Sequence, residues 1–298
     1  MTRVLEIKNL TKEYGKVTAL NQASFSVDAG SVFGILGPNG SGKTTTLGII
    51  LDVLGATSGT YSWFGNAPSQ DDRKRIGAIL EQPNFYPYLS AVANLKIVCE
   101  IKEVPYENID RVLKLVNLYD RRASDFKTFS LGMKQRLAIG AALLNDPEVL
   151  VLDEPTNGLD PQGIAEVRQL IKDIAAQGKT ILLASHMLDE VEKVCTHVAL
   201  LKFGQLLVSG PVREVMSDDT FIEVRAADMN QLYNTLQKHP QVATVTPDPG
   251  EVVVTFKDNT DAAQLNKWLH EQGVVVSYLS SRKQSLESFF LEMTNQSA

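Results

Sequence analysis

Residues 37–44 of this 298-residue chain read Gly37-Pro38-Asn39-Gly40-Ser41-Gly42-Lys43-Thr44, and this stretch decides the fold. It fits the pattern G-x-x-x-x-G-K-[ST] and lies between an apolar strand candidate, 31–36, and a helical stretch. Glycines let the backbone curl until successive N–H groups point inward, where they can bind a phosphate group. The positive end of the following helix dipole favours the same charge. The pattern predicts a phosphate-binding loop, although a chance glycine-rich turn is the alternative.

The chemistry of the loop assigns a role to its last residues. We expect Lys43 to reach the β- and γ-phosphates of a nucleotide and the Thr44 hydroxyl to ligate Mg²⁺, with Thr45 among the nucleotide-binding residues. A second apolar strand candidate, 149–152, leads directly into Asp153 and Glu154. Asp153 would hold the Mg²⁺ shell, and Glu154 would polarise the attacking water. The alternative is two solvated carboxylates at a strand end. The absence of an Asn-Lys-x-Asp guanine-reading motif from the sequence favours ATP.

The composition divides the chain near residue 216. Residues 1–215 carry 23 basic and 24 acidic residues, whereas 216–298 carry 6 and 11, which is most of the net charge of −6. Short apolar strands separated by helices in the first part predict a largely parallel sheet that is covered on both faces. The predicted fold class is therefore α/β, of the P-loop NTPase type.

The second part has a different rhythm. Its predicted elements are strand 221–224, helix 229–236, strands 242–246 and 251–256, helix 262–269, strand 274–279 and a terminal amphipathic helix, 285–293. The order βαββαβ predicts a small α+β domain of the ferredoxin-like type.

With both phosphate motifs in place, residues 4–215 resemble the nucleotide-binding subunit of an ATP-binding cassette (ABC) transporter. The resemblance implies that the ring of Tyr14 stacks on adenine. It implies that Gln82, in Leu80-Glu81-Gln82-Pro83, contacts Mg²⁺ and relays the nucleotide state to the membrane subunit. We expect Pro83 to end the preceding strand and a helical insert to occupy about 84–145.

The family signature, usually written LSGGQ, corresponds to Phe129-Ser130-Leu131-Gly132-Met133. Ser130 and Gly132 are kept, and Ser130 would cap a helix that starts near Met133 and points its N-terminus at a phosphate. By the same resemblance, Asp160 belongs to the loop that crosses to the partner subunit. His186 follows strand candidate 180–184 and would bond the γ-phosphate as a neutral imidazole.

The resemblance implies ATP and Mg²⁺ as cofactors and a pair of identical nucleotide-binding subunits that enclose two ATP molecules. It also implies a separate polytopic permease, so we expect a cytoplasmic subunit bound to the inner face of the cell membrane through that permease. The divergent signature and the appended domain at 216–298, of dimerising or regulatory function, resemble drug and antibiotic exporters. The acidic balance argues against nucleic acid as a partner. The alternative is a soluble ABC-type ATPase that acts on ribosomes or nucleic acid.

Overall fold

The structure, a computed structural model, describes residues 2–80, 83–216, 220–257, 260–283, 286 and 289–290. Gln82 and most of the terminal helix predicted at 285–293 lie outside these residues. The chain divides into two compact units, Met1–Val215 and Met216–Ala298. In the part of the chain that the structure describes, no helix is both long and apolar enough to cross a membrane.

The first unit is built on a nine-stranded sheet. Its strands are β1 (Arg3–Tyr14), β2 (Val17–Asp28), β3 (Val32–Leu36), β4 (Ser58–Trp63), β5 (Ile76–Ile79), β6 (Val149–Asp153), β7 (Thr180–Ser185), β8 (His197–Lys202) and β9 (Gln205–Pro211). Its helices are α1 (Lys43–Ile50), α2 (Gln70–Lys74), α3 (Ala91–Lys102), α4 (Glu107–Leu115), α5 (Leu131–Ala142), α6 (Pro161–Ala176), α7 (Leu188–Glu192) and α8 (Val212–Val215).

The strand order is β4-β1-β2-β9-β8-β3-β7-β6-β5. Strands β5, β6, β7, β3 and β8 pair in parallel, whereas β1 pairs antiparallel with both β2 and β4. The prediction of a largely parallel sheet holds for the centre of the sheet but misses this antiparallel arm. The register of β1 on β2 shifts four times. Each shift interrupts the alternation of apolar and polar residues by which a half-buried strand is recognised.

The central strands bring the phosphate motifs together. Every residue of β3, β6 and β7 is buried. Leu36 at the end of β3 pairs with Ser185 at the end of β7, and Asp153 at the end of β6 pairs with Ala184. The carboxyl ends of these three parallel strands therefore lie side by side, which is where open α/β sheets bind their ligands.

The insert between β5 and β6 contains α3, α4 and α5, with 3₁₀ turns at Tyr119–Arg121 and Phe126–Thr128. Strand β5 ends at Ile79, four residues earlier than the predicted break at Pro83. Helix α5 begins at Leu131, two residues before Met133, with Ser130 as its N-cap as predicted. The reason is that Ser130, as the N-cap, precedes the first helical residue directly, while its side chain reaches the N–H of the third.

The second unit contains β10 (Thr220–Ala226), α9 (Met229–Leu236), β11 (Val242–Asp248), β12 (Glu251–Phe256), α10 (Ala262–Glu271) and β13 (Val276–Lys283). Its sheet is antiparallel in the order β11-β12-β10-β13, the ferredoxin-like arrangement. One face packs on both helices, because Ile222 and Val254 share a core with Leu232 and Leu265. Asp228 and Asp261 cap the two helices.

Candidate nucleotide-binding site

The loop between β3 and α1 lies tightly against its neighbours, which explains two of its glycines. A Cβ on Gly37 would lie 2.1 Å from the carbonyl oxygen of Leu201, and the backbone φ is +151°. A Cβ on Gly42, where φ is +103°, would lie 2.5 Å from the carbonyl oxygen of Ala19. These positions exclude any side chain because the contacting atoms are backbone. The loop conformation is therefore fixed by β2 on one side and β8 on the other.

The remaining loop residues differ in exposure. Pro38, Asn39 and Gly40 form an exposed tip, whereas the side chain of Ser41 is buried. The Ser41 N–H donates to the carbonyl of Pro38 at 3.1 Å. Ser41 thus stabilises the loop itself, and its hydroxyl does not face solvent.

Lys43 supplies an ammonium group to the site. Its side chain is only 5% exposed, and its Nζ donates to the carbonyl oxygens of Gly37 at 2.8 Å and Pro38 at 3.2 Å. The same Nζ lies 3.4 Å from Oε1 of Glu154. The ammonium group is therefore held at the mouth of the loop, in contact with the acid of the next motif.

Thr44 and Asp153 form a pair of oxygen donors. The exposed Thr44 donates from Oγ1 to Oδ2 of the buried Asp153 at 2.9 Å. A hydroxyl and a carboxylate are the hard oxygen ligands that Mg²⁺ takes in small number from a protein when substrate phosphates and water supply the others. This pair therefore fits Mg²⁺. The neighbouring Thr45 is half-buried.

Glu154 and His186 are in direct contact. Oε2 of Glu154 lies 2.8 Å from Nδ1 of His186, and it accepts a weaker hydrogen bond from the His186 N–H at 3.4 Å. Glu154 has a left-handed backbone, with φ of +47°, and its N–H donates to the Ala184 carbonyl at 2.9 Å. Such a conformation costs energy for a residue with a side chain, and surrounding structure must maintain it. Here the hydrogen bond to β7 maintains it and aims the carboxylate between Lys43 and His186.

The adenine-stacking candidate lies at the end of β1. Tyr14 is 48% exposed, and the Nζ of Lys12 lies 4.9 Å from its ring centroid. The β1–β2 hairpin that carries Tyr14 also carries Ala19, whose carbonyl contacts Gly42. Tyr14 is thus on the element that supports the phosphate loop.

The signature residue Ser130 and the crossing-loop residue Asp160 each bond to the first turn of the helix that follows them. Oγ of Ser130 accepts from the Met133 N–H at 3.2 Å, and Oδ1 of Asp160 accepts from the Gly163 N–H at 2.8 Å. Each side chain therefore caps its own helix, α5 or α6. A Cβ on Gly132 would lie 3.6 Å from the Cα of Gly163, which is ordinary contact.

A cleft of about 700 Å³ joins the strand ends to the start of α5. It is lined by Thr44, Pro83, Asn84, Leu131, Gln135, Asp153, Glu154 and Asn157. Three polar residues of this wall, Asn84, Gln135 and Asn157, were not predicted from the sequence. Asn84 follows Gln82 by two residues and Asn157 follows Glu154 by three, so proximity to a motif was the available signal.

Comparison with known proteins identifies the family. The sequence model of the family described as ABC transporter matches residues 20–157. The chain is similar to the bacitracin transport ATP-binding protein of Bacillus licheniformis, with 35% identity over 98% of each chain. It is 32% identical to the Nod factor export ATP-binding protein I of Cupriavidus metallidurans over 99% of each chain.

A solved structure supports the same assignment. A dimeric ATP-binding cassette in a post-hydrolysis state, bound to ADP and Pi, matches with a TM-score of 0.62 and 27% identity over 70% of this chain and 99% of that chain. Full-length similarity to transport and export proteins favours the transporter subunit over the alternative of an ATPase that acts on ribosomes or nucleic acid. The chain therefore belongs to the ABC transporter family, as an ATP-binding subunit that hydrolyses ATP.

Proposed function

We propose that two copies of this chain bind and hydrolyse ATP between them and thereby drive export through a separate membrane permease. The observation that carries the proposal is the contact of one carboxylate, that of Glu154, with both Lys43 and His186. This contact assembles an ammonium, a carboxylate and an imidazole at the start of α1. These groups suit charge stabilisation and positioning, which dominate phosphoryl transfer.

The phosphates of ATP would compete with Glu154 for Lys43. Nζ of Lys43 lies 3.4 Å from Glu154, a longer contact than its hydrogen bond to Gly37. A triphosphate carries more negative charge than one carboxylate, so binding would draw the ammonium away from Glu154. The carboxylate is then released to orient the attacking water and accept its proton.

The contact of His186 with Glu154 limits which hydrogen bonds the imidazole can make to a phosphate. If its Nδ1–H donates to Glu154, a neutral imidazole retains only an acceptor at Nε2. Such a ring cannot also donate to a phosphate oxygen. The proposed contact of a neutral His186 with the γ-phosphate therefore requires the ring to turn away from Glu154.

Thr44 and Asp153 would hold Mg²⁺, with Gln82 as a further ligand that lies outside the described residues. When bound, Mg²⁺ neutralises negative charge on the phosphates. The remaining positive character comes from the chain itself, through the N–H groups of the loop and of the first turn of α1.

The proposed pair of subunits accounts for the position of the signature residues. Ser130 and Asp160 cap their own helices, and Ser130 is exposed at the start of α5. A second copy would present this helix N-terminus to the γ-phosphate, so that Ser130, Gly132 and Asp160 complete the partner's site. The dimeric state of the similar ADP-bound cassette supports this arrangement.

The permease would dock on a groove of about 450 Å³ that is lined in part by Asn84, Tyr86 and Ile101. Tyr86 and Ile101 are 51% and 76% exposed. Exposed apolar patches of this kind mark interaction sites. Asn84 also lines the nucleotide cleft, so a permease segment in the groove would adjoin the nucleotide. Buried Asn94 shapes the groove through hydrogen bonds to the backbone of Tyr86 in both directions.

Export is proposed because the relative of Cupriavidus metallidurans is named for export of its substrate. The subunit would lie in the cytoplasm, held at the inner face of the membrane by the permease.

The second unit, Met216–Ala298, would stabilise the pair of subunits or regulate it. A truncation after Val215 that leaves ATP-dependent pairing and ATPase rate unchanged would contradict this role of the second unit.

The central test is the Glu154→Gln variant, which keeps the shape of the side chain and removes its charge. We expect a fall in kcat of about 100-fold or more, and we expect ATP with Mg²⁺ to trap a dimer that light scattering detects. ADP should leave the variant monomeric. The matched control is Glu192→Gln on α7. Normal turnover in Glu154→Gln would show that Glu154 does not orient the attacking water. A variant that stays monomeric with ATP would contradict the proposal that two copies of the chain enclose ATP between them.

The docking groove is tested separately with Ile101→Glu. We expect this variant to keep the ATPase rate of the purified chain and to lose co-purification with the membrane fraction of cells that express the transporter. Val53→Glu is the matched control, because Val53 is 66% exposed outside the groove. Retained membrane association of Ile101→Glu would overturn the groove as the docking site.

A further inference from the structure

Lys12 makes contacts that the phosphate chemistry does not use. Lys12 and Tyr14 lie two residues apart near the end of β1, and the side chain of Lys12 extends over the Tyr14 ring. The Lys12 Nζ lies 4.9 Å from the Tyr14 ring centroid, inside the range of about 6 Å over which a cation and an aromatic face attract. The ammonium thus covers one face of a ring that is 48% exposed.

A second contact fixes the ammonium in place. The Lys12 Nζ donates to the carbonyl oxygen of Gly55 at 2.7 Å. The segment around Gly55 is itself tied to β1, since the Thr57 N–H donates to the Thr11 carbonyl at 2.8 Å and Thr57 Oγ1 accepts from the Glu13 N–H at 3.0 Å. Lys12 is therefore anchored to the segment that follows α1, the helix that begins at the phosphate loop.

We propose that Lys12 is a positioning residue for the nucleotide base: it holds one face of the Tyr14 ring and leaves the other face to the base. The inference rests on the proposed adenine-stacking role of Tyr14. A ring that is already held loses less conformational freedom when the base binds. The ammonium also withdraws electron density from the ring, which reduces repulsion between the two stacked π faces.

The geometry separates two parts of the ligand. The base would sense Lys12 through Tyr14, whereas the phosphates bind at the loop around Lys43. Inorganic tripolyphosphate carries the phosphates without the base. A role of Lys12 in base positioning therefore predicts an effect on ATP that tripolyphosphate does not share. A general loss of positive charge, or a distortion of the loop, would weaken both ligands.

The experiment measures calorimetric Kd values of the full chain for MgATP and for magnesium tripolyphosphate. Lys12→Met keeps the aliphatic stem and removes the cation. We expect the affinity for ATP to fall two- to fivefold, because an exposed cation–π contact is usually worth about 0.5–1 kcal/mol. The Kd for tripolyphosphate should remain unchanged. Lys12→Arg should restore the affinity, because a guanidinium also binds ring faces and carbonyls. Lys16→Met is the matched control for charge, and thermal unfolding checks each variant.

The double variant decides between positioning and independent binding. Tyr14→Ala should itself weaken ATP but not tripolyphosphate, and in that background Lys12→Met should have no further effect. Additive losses would overturn the inference, as would an unchanged Kd in Lys12→Met, equal losses for both ligands, or an equal effect of Lys16→Met. If Tyr14→Ala leaves ATP binding unchanged, the stacking role of Tyr14 fails first and the inference fails with it.

Discussion

The first turns of α1 and α5 are built differently, although both are proposed to meet phosphate. Helix α1 follows Gly42, a residue with φ of +103°, and no side chain of the described residues caps it. Helix α5 follows Ser130, whose hydroxyl accepts a hydrogen bond from its first turn. A helix leaves its first N–H groups without partners inside the helix. In α1 these donors remain for a ligand, whereas in α5 the chain satisfies one of them itself.

The difference shows which N-terminus depends on its ligand. Buried Lys43 adds a positive charge to the uncapped turn of α1, so an anion gains both the helix dipole and a cation there. Helix α5 has a stable first turn before any anion arrives. We infer that α1 binds nucleotide in a single subunit, and that α5 contributes when a second copy presents it.

The largest expected effect follows from removing the charge at α1. Lys43→Ala should weaken ATP binding by about 30-fold or more, because truncating one partner of a buried charge pair costs about 2–5 kcal/mol. Calorimetry on the full chain measures this loss. The matched control is Lys172→Ala, a lysine exposed on α6. Tight ATP binding by Lys43→Ala would contradict the inference that the start of α1 binds the nucleotide in a single subunit.

Removing the cap of α5 should affect stability instead. Ser130→Ala should lower the free energy of unfolding by about 1 kcal/mol, the usual value of an N-cap. ATP binding to the single subunit should remain unchanged, while ATP-dependent pairing weakens. Denaturant unfolding and light scattering measure the two effects. A loss of ATP affinity in the monomeric variant would mean that α5 already acts within one chain.

Alanine substitutions at Gly132 and Gly163 compare two effects at the contact of α5 with α6: the first tests helix packing, and the second tests the Asp160 cap. Gly132→Ala should change stability by less than about 1 kcal/mol, because its Cβ would make an ordinary contact with Gly163. Gly163→Ala should be clearly destabilising, since its Cβ would lie 2.9 Å from Oδ1 of the capping Asp160. Thermal unfolding compares the two. Equal effects would contradict the difference in available space.

The smallest stability effect is expected at Asp160, where one substitution tests whether the carboxylate does more than cap α6. Asp160→Asn should change the free energy of unfolding by only a few tenths of a kcal/mol, because Asn caps helices about as well as Asp. If the ATPase rate of the variant falls while its stability is kept, the carboxylate charge acts in the shared site. An unchanged rate would limit Asp160 to its role as the cap.

Several residues of the site were predictable because each lies in a short contiguous motif whose residue types indicate phosphate or Mg²⁺ binding. Lys43, Thr44, Asp153 and Glu154 follow from two short patterns, and the structure brings the start of α1 into contact with the end of β6. Gln135 was not predicted, because only the packing of α5 brings it to the cleft wall, and the only signal for Asn84 was its proximity to Gln82. The antiparallel arm was missed for a related reason: its strands alternate irregularly, and their pairing depends on partners distant in the sequence.

The sequence by itself determined the phosphate loop, the acids at the end of β6 and the order of elements in the second unit, because these depend on backbone propensity and apolar periodicity, which are local properties. The resemblance of its motifs to known proteins indicated the family. Only the tertiary structure decided that Glu154 bridges Lys43 and His186, and that Ser130 and Asp160 cap their own helices. Glu154 and His186 are 32 residues apart in the chain. The parallel pairing of β6 with β7 brings them into contact, because a sheet places the ends of neighbouring strands at one edge.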